Sequence, residues 1–487
     1  ERMAAANSRL LANVPSGFAM RNFSQLVDHF NCLAAGNETF TQRYLLRDAD
    51  WRNGSPVFVF TGAEGGDVTG ILGDYGSVLA LAAKLGAMIV AIEGRFFGQS
   101  LRADSGSSDG RPAANSTIGV LSVEQMIEDY AAIIESIRNE RGPGGWSSPV
   151  VTFGGSLAGT LAALTRLSRP WLVDAAFASS APLFGWVGQA DPFAWRARIT
   201  ATWEEAYVGC SGLVRRGFAG LALLNPTHVA ATYHTCGKAF KGNGAAVRAI
   251  VWDRLESHAE FVYGVGVPTL AAACKRMVEA GADDGAVFAR FLDAGPGEKC
   301  LNLTRYMAGS AGVQHVGPRG RMEWVDGGAG ASLAQPHRFR GWSYLSCTQV
   351  IHPIGANNVT DFFPPFNWSV DGLAKECGGE WGVEPRPLDL PLRYGLQPRW
   401  LARSGSRVLF SYGTRDPWAT MGVGWRNLSE TLPVVAIEGG SHCADVAAET
   451  PRDSDAMLRA RRLQGQILSR WVEQIASERK QEGAEAR

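Results

Sequence analysis

Three side chains far apart in the chain have the types and settings that acyl transfer requires. Ser156 lies in Gly154-Gly155-Ser156-Leu157-Ala158-Gly159, where small neighbours permit the strained turn that pushes a serine hydroxyl out of the end of a sheet. The bland reading of the same stretch is a Gly-rich turn carrying a solvated serine. A serine hydroxyl is a poor nucleophile until a histidine takes its proton, and the histidine needs a carboxylate to fix its tautomer and stabilise its charged form. Asp416, in Tyr412-Gly413-Thr414-Arg415-Asp416-Pro417-Trp418, and His442, in Glu438-Gly439-Gly440-Ser441-His442, follow in that order. Ser156 is expected to attack, His442 to shuttle the proton and Asp416 to orient the imidazole. Negative charge building on the carbonyl oxygen needs N–H donors. The Leu157 amide, directly after the nucleophile, is one candidate. The second belongs to the Gly-rich loop 61–67, where Ala63 is the candidate amide. Glu64 and Asp67 in that loop either cap a helix or meet a positive substrate group.

These residues must be carried to one place by strands. Val57-Phe58-Val59-Phe60 and Ala87 to Ile92 read as buried strands with a helix, Ser77 to Leu85, between them. Ser122 and Gln125 form a capping box that opens a long amphipathic helix over 122–140. Val150 to Phe153 is a strand, Thr160 to Arg169 a helix closed by Pro170, and Asp174 to Ser180 another strand. The alternation predicts a mostly parallel sheet with crossover helices. After Asp191-Pro192 the pattern becomes helices joined by Gly-containing loops as far as about residue 345, then a Pro-, Trp- and Gly-rich connection as far as about 402. Strands return at 407–411 and 434–437, each running into a loop that holds Asp416 or His442. A helix over about 453–480 follows, with a frayed polar end. The expected organisation is a first core segment over 1–190, a helical cap insertion over 191–345, and a return segment with the rest of the core over 346–487. In an α/β-hydrolase the nucleophile, acid and histidine follow in this order, each at the carboxyl end of a strand.

Composition narrows the setting. The 487 residues include 47 basic and 47 acidic side chains, so the broad positive field of a nucleic-acid binder is missing. No apolar run reaches the roughly 18 residues that span a bilayer, which argues against membrane insertion. A start at Glu1 without an initiator Met suits a secretory leader already removed. Eight cysteines without metal-ligand spacing favour disulfides over buried thiols. Asn-x-Ser/Thr occurs at Asn22, Asn37, Asn53, Asn115, Asn302, Asn358, Asn367 and Asn427, against roughly two expected by chance. A secreted or lysosomal/vacuolar glycoprotein is expected, with no nucleic-acid partner and a homodimer left open.

Several further stretches carry a resemblance. Val27-Asp28-His29-Phe30-Asn31, Glu93 to Ser100, Gly154-Gly155-Ser156, Ala178 to Pro182, Asn357 to Asp361, Asp416-Pro417-Trp418 and Gly440-Ser441-His442 resemble, in one order across nearly the whole chain, a family of serine peptidases. It is typified by lysosomal Pro-X carboxypeptidase, the post-proline lysosomal dipeptidyl peptidase and thymus-specific serine protease. The resemblance implies an α/β-hydrolase core with a helical cap that cleaves proline-containing peptides after proline, without metal or cofactor. Glu93-Gly94-Arg95-Phe96-Phe97 departs from the family's Glu-His-Arg-Tyr-Tyr, Cys443 stands where a second histidine is usual, and Ala447 stands where an arginine often lies. Recognition of the peptide terminus is therefore open: Arg95 or Arg415 would suit a carboxylate, Glu64 or Asp67 an ammonium. Trp418, with Trp342 and Tyr344, would supply flat walls for proline. Cys32 and Cys443, both outside the cap, are expected to pair, leaving the other six cysteines to staple the cap and return segment. The Pro-X carboxypeptidase mode is placed ahead of dipeptidyl peptidase and endopeptidase modes. Lipase or esterase action on the same fold and an inactive binding protein are the rivals.

Overall fold

Unbroken apolar runs, rather than alternating ones, make the central strands, as burial on both faces demands. The computed structural model describes residues 14–31, 38–62, 67–100, 117–236, 242–279, 281, 283–292, 300–302, 314–316, 322–324 and 337–485. Eight strands form its main sheet: β1 (Ala19–Leu26), β2 (Thr39–Arg47), β3 (Val57–Phe60), β4 (Met88–Ile92), β5 (Val150–Gly155), β6 (Ala175–Ser179), β7 (Val408–Gly413) and β8 (Val434–Ile437). Their spatial order is β1-β2-β4-β3-β5-β6-β7-β8. The β1–β2 and β2–β4 pairs are antiparallel and the rest parallel. The principal helices are α1 (Gly76–Lys84), α2 (Val123–Glu140), α3 (Ser156–Ser168), α4 (Ala194–Ala206), α5 (Cys210–Leu223), α6 (Gly244–Glu260), α7 (Val267–Val278), α8 (His337–Thr348), α9 (Val370–Glu380) and α10 (Asp455–Glu485).

Successive residues of a strand feed opposite layers. Val57 and Val59 pack towards α2 and α3, while Phe58 and Phe60 pack towards α1 and α10. The result is an α/β-hydrolase core, a mostly parallel sheet between two helical layers. Ser122 caps α2, its hydroxyl accepting the Gln125 N–H at 3.2 Å. Between β6 and β7 the chain builds a second core from α4 to α7, around Trp195, Trp203, Phe218, Trp252 and Phe288.

Three expectations change. The helix after β5 starts at Ser156 rather than Thr160, because the strand turns into it without a linking loop. The return segment is more regular than its Pro and Gly content suggests: it holds α9, capped by Ser369, and short helices Asp389–Arg393 and Pro398–Ser404. The polar end from Lys480 onward, expected to be frayed, continues α10 through Glu485.

The disulfides Cys210–Cys274 and Cys236–Cys300 lie in the inserted region, and Cys347–Cys377 ties α8 to α9. The expected Cys32–Cys443 bridge is corrected: Cys443 is a free thiol, its loop turning it towards Gly155 and His442. Cys32 lies outside the described residues. Among the sequons, Asn22, Asn53, Asn358, Asn367 and Asn427 are exposed; Asn37 and Asn115 lie outside the described residues. Among the described residues no helix is long and apolar enough to cross a membrane.

Candidate active site

The turn that presents Ser156 is tight enough to dictate its neighbours. A Cβ on Gly154 would stand 2.1 Å from the Ala158 carbonyl oxygen, and one on Gly155 2.7 Å from Cys443 Sγ. Ser156 itself has φ +58°, a left-handed conformation that costs a non-glycine residue energy and recurs at functional turns. Ala158 stands in place of a second glycine without a positive φ, and its carbonyl receives the Thr61 hydroxyl at 2.8 Å. Gly155 N–H donates to Tyr75 Oη at 2.8 Å.

Asp416 ends the loop after β7 and is fully buried. Its Oδ1 accepts the Trp418 N–H at 2.9 Å and lies 3.0 Å from His442 Nδ1. Oδ2 is buried and has no hydrogen-bond partner among the described residues. Burial opposes the charged imidazole of His442, but the Cys443 sulfur and the Asp416 carboxylate raise its pKa well above the ordinary value. Burial also raises the Cys443 pKa, against the opposing pull of the His442 charge.

Ser156 and His442 line one cavity of about 1380 Å³. Among the described residues Ser156 Oγ makes no hydrogen bond, and an imidazole–hydroxyl bond that tightens only around substrate is ordinary in an empty site. Leu157 lines the same cavity, and its amide, in the first turn of α3, has no acceptor four residues back. Thr61, bonded to the Ala158 carbonyl beside the nucleophile turn, and Gly62 also line the cavity, and a Cβ on Gly62 would stand 2.1 Å from Ile92 O. Ala63 and Glu64 lie outside the described residues.

Trp418 and Trp342 line the cavity. Tyr344 does not, and its expected place in the substrate wall is corrected: it is buried in the core, its ring 5.4 Å from Trp381, because the inner face of α8 packs on the return segment. Arg95 is equally remote, fully buried with Nε and Nη2 on Asp129 at 2.8 and 2.6 Å. Asp67 caps the short helix Val68–Ile71 and pairs with Arg43 at 2.8 Å. Arg415 lines the cavity, with Nε on Glu205 at 3.0 Å.

Two lining residues carry no local sequence signal. His352 donates Nδ1–H to Gly185 O at 2.7 Å, and its ring lies 5.5 Å from Trp418. Burial pulls its pKa down to about 4, so it stays a neutral, flat wall. Glu260, the last residue of α6, has Oε1 2.7 Å from Trp418 Nε1 and 3.8 Å from His442 Nε2. Only the docking of the inserted helices on the sheet brings it there.

The family model for "Serine carboxypeptidase S28" matches residues 25–244 and 271–464. Lysosomal Pro-X carboxypeptidase of Homo sapiens is 26% identical over 488 residues, covering 96% of this chain and 90% of that protein. The Pongo abelii protein of the same name is 27% identical with the same coverage. Thymus-specific serine protease of Mus musculus is 27% identical over 480 residues, covering 93% of this chain and 87% of that protein. With a match over most of its length, the chain belongs to the serine carboxypeptidase S28 family of serine-type peptidases.

Proposed function

We propose that the chain is a serine carboxypeptidase that releases the residue following a penultimate proline, with Ser156, His442 and Asp416 as its relay. The observation that carries this reading is the His442–Asp416 pair at 3.0 Å, facing the cavity into which the left-handed turn puts Ser156. In the proposed reaction His442 Nε2 takes the Ser156 proton as Oγ attacks the proline carbonyl carbon. The imidazolium that forms is stabilised by Asp416, and the oxyanion by the Leu157 N–H. His442 then returns the proton to the leaving amine, the C–N bond breaks, and the prolyl ester remains on Ser156. Water, deprotonated by His442, attacks the ester, the bond to Ser156 Oγ breaks as His442 returns the proton to that oxygen, and the shortened peptide leaves. Trp418, Trp342 and the neutral His352 would form flat walls for the pyrrolidine ring. The relatives named lysosomal, the three disulfides and the exposed sequons support residence in the secretory pathway or lysosome.

The test is mass spectrometry of peptides with proline at the second, an internal or the penultimate position, using the enzyme and Ser156→Ala. Loss of one C-terminal residue after penultimate proline, absent in the variant, is expected. Release of an N-terminal dipeptide would replace the carboxypeptidase mode, and no cut after any proline would remove the specificity.

A further inference from the structure

Glu260 is used by none of these steps, yet it faces the imidazole from the inserted helices. Its carbonyl oxygen accepts the His442 N–H at 3.0 Å, and its carboxyl stands 3.8 Å from the ring nitrogen that must protonate the leaving group. We propose that Glu260 determines specificity for the free C-terminus: as the neutral acid, its carboxyl donates a hydrogen bond to the α-carboxylate of the residue being released. This rests on the carboxypeptidase reading above.

Covalent geometry favours that end of the peptide. The leaving nitrogen must come within about 3 Å of His442 Nε2, and the terminal carboxylate carbon is two bonds further on, about 2.5 Å from that nitrogen. A free C-terminal carboxylate is thus confined to the space that Glu260 borders. The ammonium of an N-terminal dipeptide instead lies five bonds from the scissile carbonyl carbon, on the acyl side.

Charge then decides the form of Glu260. Among the described residues the cations lining the cavity are engaged or peripheral: Arg415 is held by Glu205, Arg461 by Asp453 and two carbonyl oxygens, and Arg452 is on the exposed rim. An ionised Glu260 would repel a substrate carboxylate; a neutral one can donate to it. The titratable groups acting on Glu260 are His442 and Asp416 from the sheet side and Glu256 one turn earlier on α6, itself paired with Arg196 at 2.8 Å. Burial raises the Glu260 pKa, with Asp416 and Glu256 adding to the rise, against the opposing pull of His442 and the Trp418 N–H. The productive pair is neutral His442 with neutral Glu260, which holds one proton between two groups. Activity on free-acid peptides should fall when a second proton is added and when that one is lost.

The experiment compares kcat/KM for an N-blocked peptide ending Pro-Phe with its C-terminal amide, from about pH 4.5 to 8, where the α-carboxylate stays ionised. Dividing the free-acid value by the amide value cancels the ionisation of His442. In the unmodified enzyme the quotient should fall up to tenfold per pH unit above the Glu260 titration. In Glu260→Gln, whose amide donates at every pH, it should be flat and should exceed the unmodified value at pH 8 by tenfold or more. A flat quotient in the unmodified enzyme overturns the proposal without needing any variant, as does a Gln variant that keeps the slope. Loss of N-terminal dipeptide release in the Gln variant would overturn it too, by assigning Glu260 to an ammonium. If neither peptide is cut after proline, the carboxypeptidase reading itself has failed.

Discussion

Asp416→Asn is the most informative single change, because the structure fixes both its geometry and its cost. Oδ1 already receives the Trp418 N–H at 2.9 Å, so an asparagine carbonyl oxygen is held in that position and still accepts His442 Nδ1–H. The amide nitrogen falls where Oδ2 has no partner among the described residues, so no hydrogen bond is broken and the tautomer is kept. What disappears is the charge. With Oδ1 3.0 Å from Nδ1, the two charge centres lie about 4 Å apart, worth about 4 kcal/mol at an effective dielectric of about 20. At about 1.4 kcal/mol per decade, acylation should slow roughly a thousandfold. The assay is the single-turnover rate of Ser156 labelling by a fluorophosphonate, followed over pH, with Tm as the control for folding. The sign of the pH effect is fixed as well. His442 fails as a base below its raised pKa, and removing the carboxylate lowers that pKa, so the residual activity should extend to lower pH. A loss under tenfold, or an acid limb that does not move, would refute the account of the relay.

Cys443 lines the cavity beside His442, so methyl methanethiosulfonate should inactivate the enzyme, faster as pH rises, because burial raises the thiol pKa. Cys443→Ser should resist the reagent and keep activity within about tenfold; inactivation that persists in the variant would mean another target. Gly154→Ala should abolish soluble, folded protein, since its Cβ would stand 2.1 Å from a backbone oxygen. Gly119→Ala, with no atom within 4 Å of the added carbon, should change Tm by no more than a few degrees; equal behaviour of the two in thermal melts would contradict the packing argument.

The proposed relay positions were legible because each lies in the turn or loop that follows a strand with an apolar run, where local pattern fixes position: β3 and β8 end where the apolar runs end, and the Ser122 cap starts α2 as its sequence predicts. The β1–β2 hairpin carries weaker signals, since β1 is exposed along most of its length and lacks a continuous apolar run. Tyr344 and Trp342 look alike in sequence, and only the packing of α8 turns one into the core and leaves the other at the cavity. Cys443 misled because its pairing with Cys32 rested only on both lying outside the expected cap, whereas the loop's left-handed turn at φ +53° decides where its sulfur points. Glu260 and His352 reach the site through contacts between distant segments, and such contacts leave no periodicity behind.

The end of α6 is stitched to the histidine loop twice, through His442 N–H to Glu260 O at 3.0 Å and Tyr263 N–H to Ser441 Oγ at 3.0 Å. Any displacement of this end of α6 must therefore break both bonds or carry the histidine loop along with it, so the position of the imidazole is tied to a segment far from it in sequence.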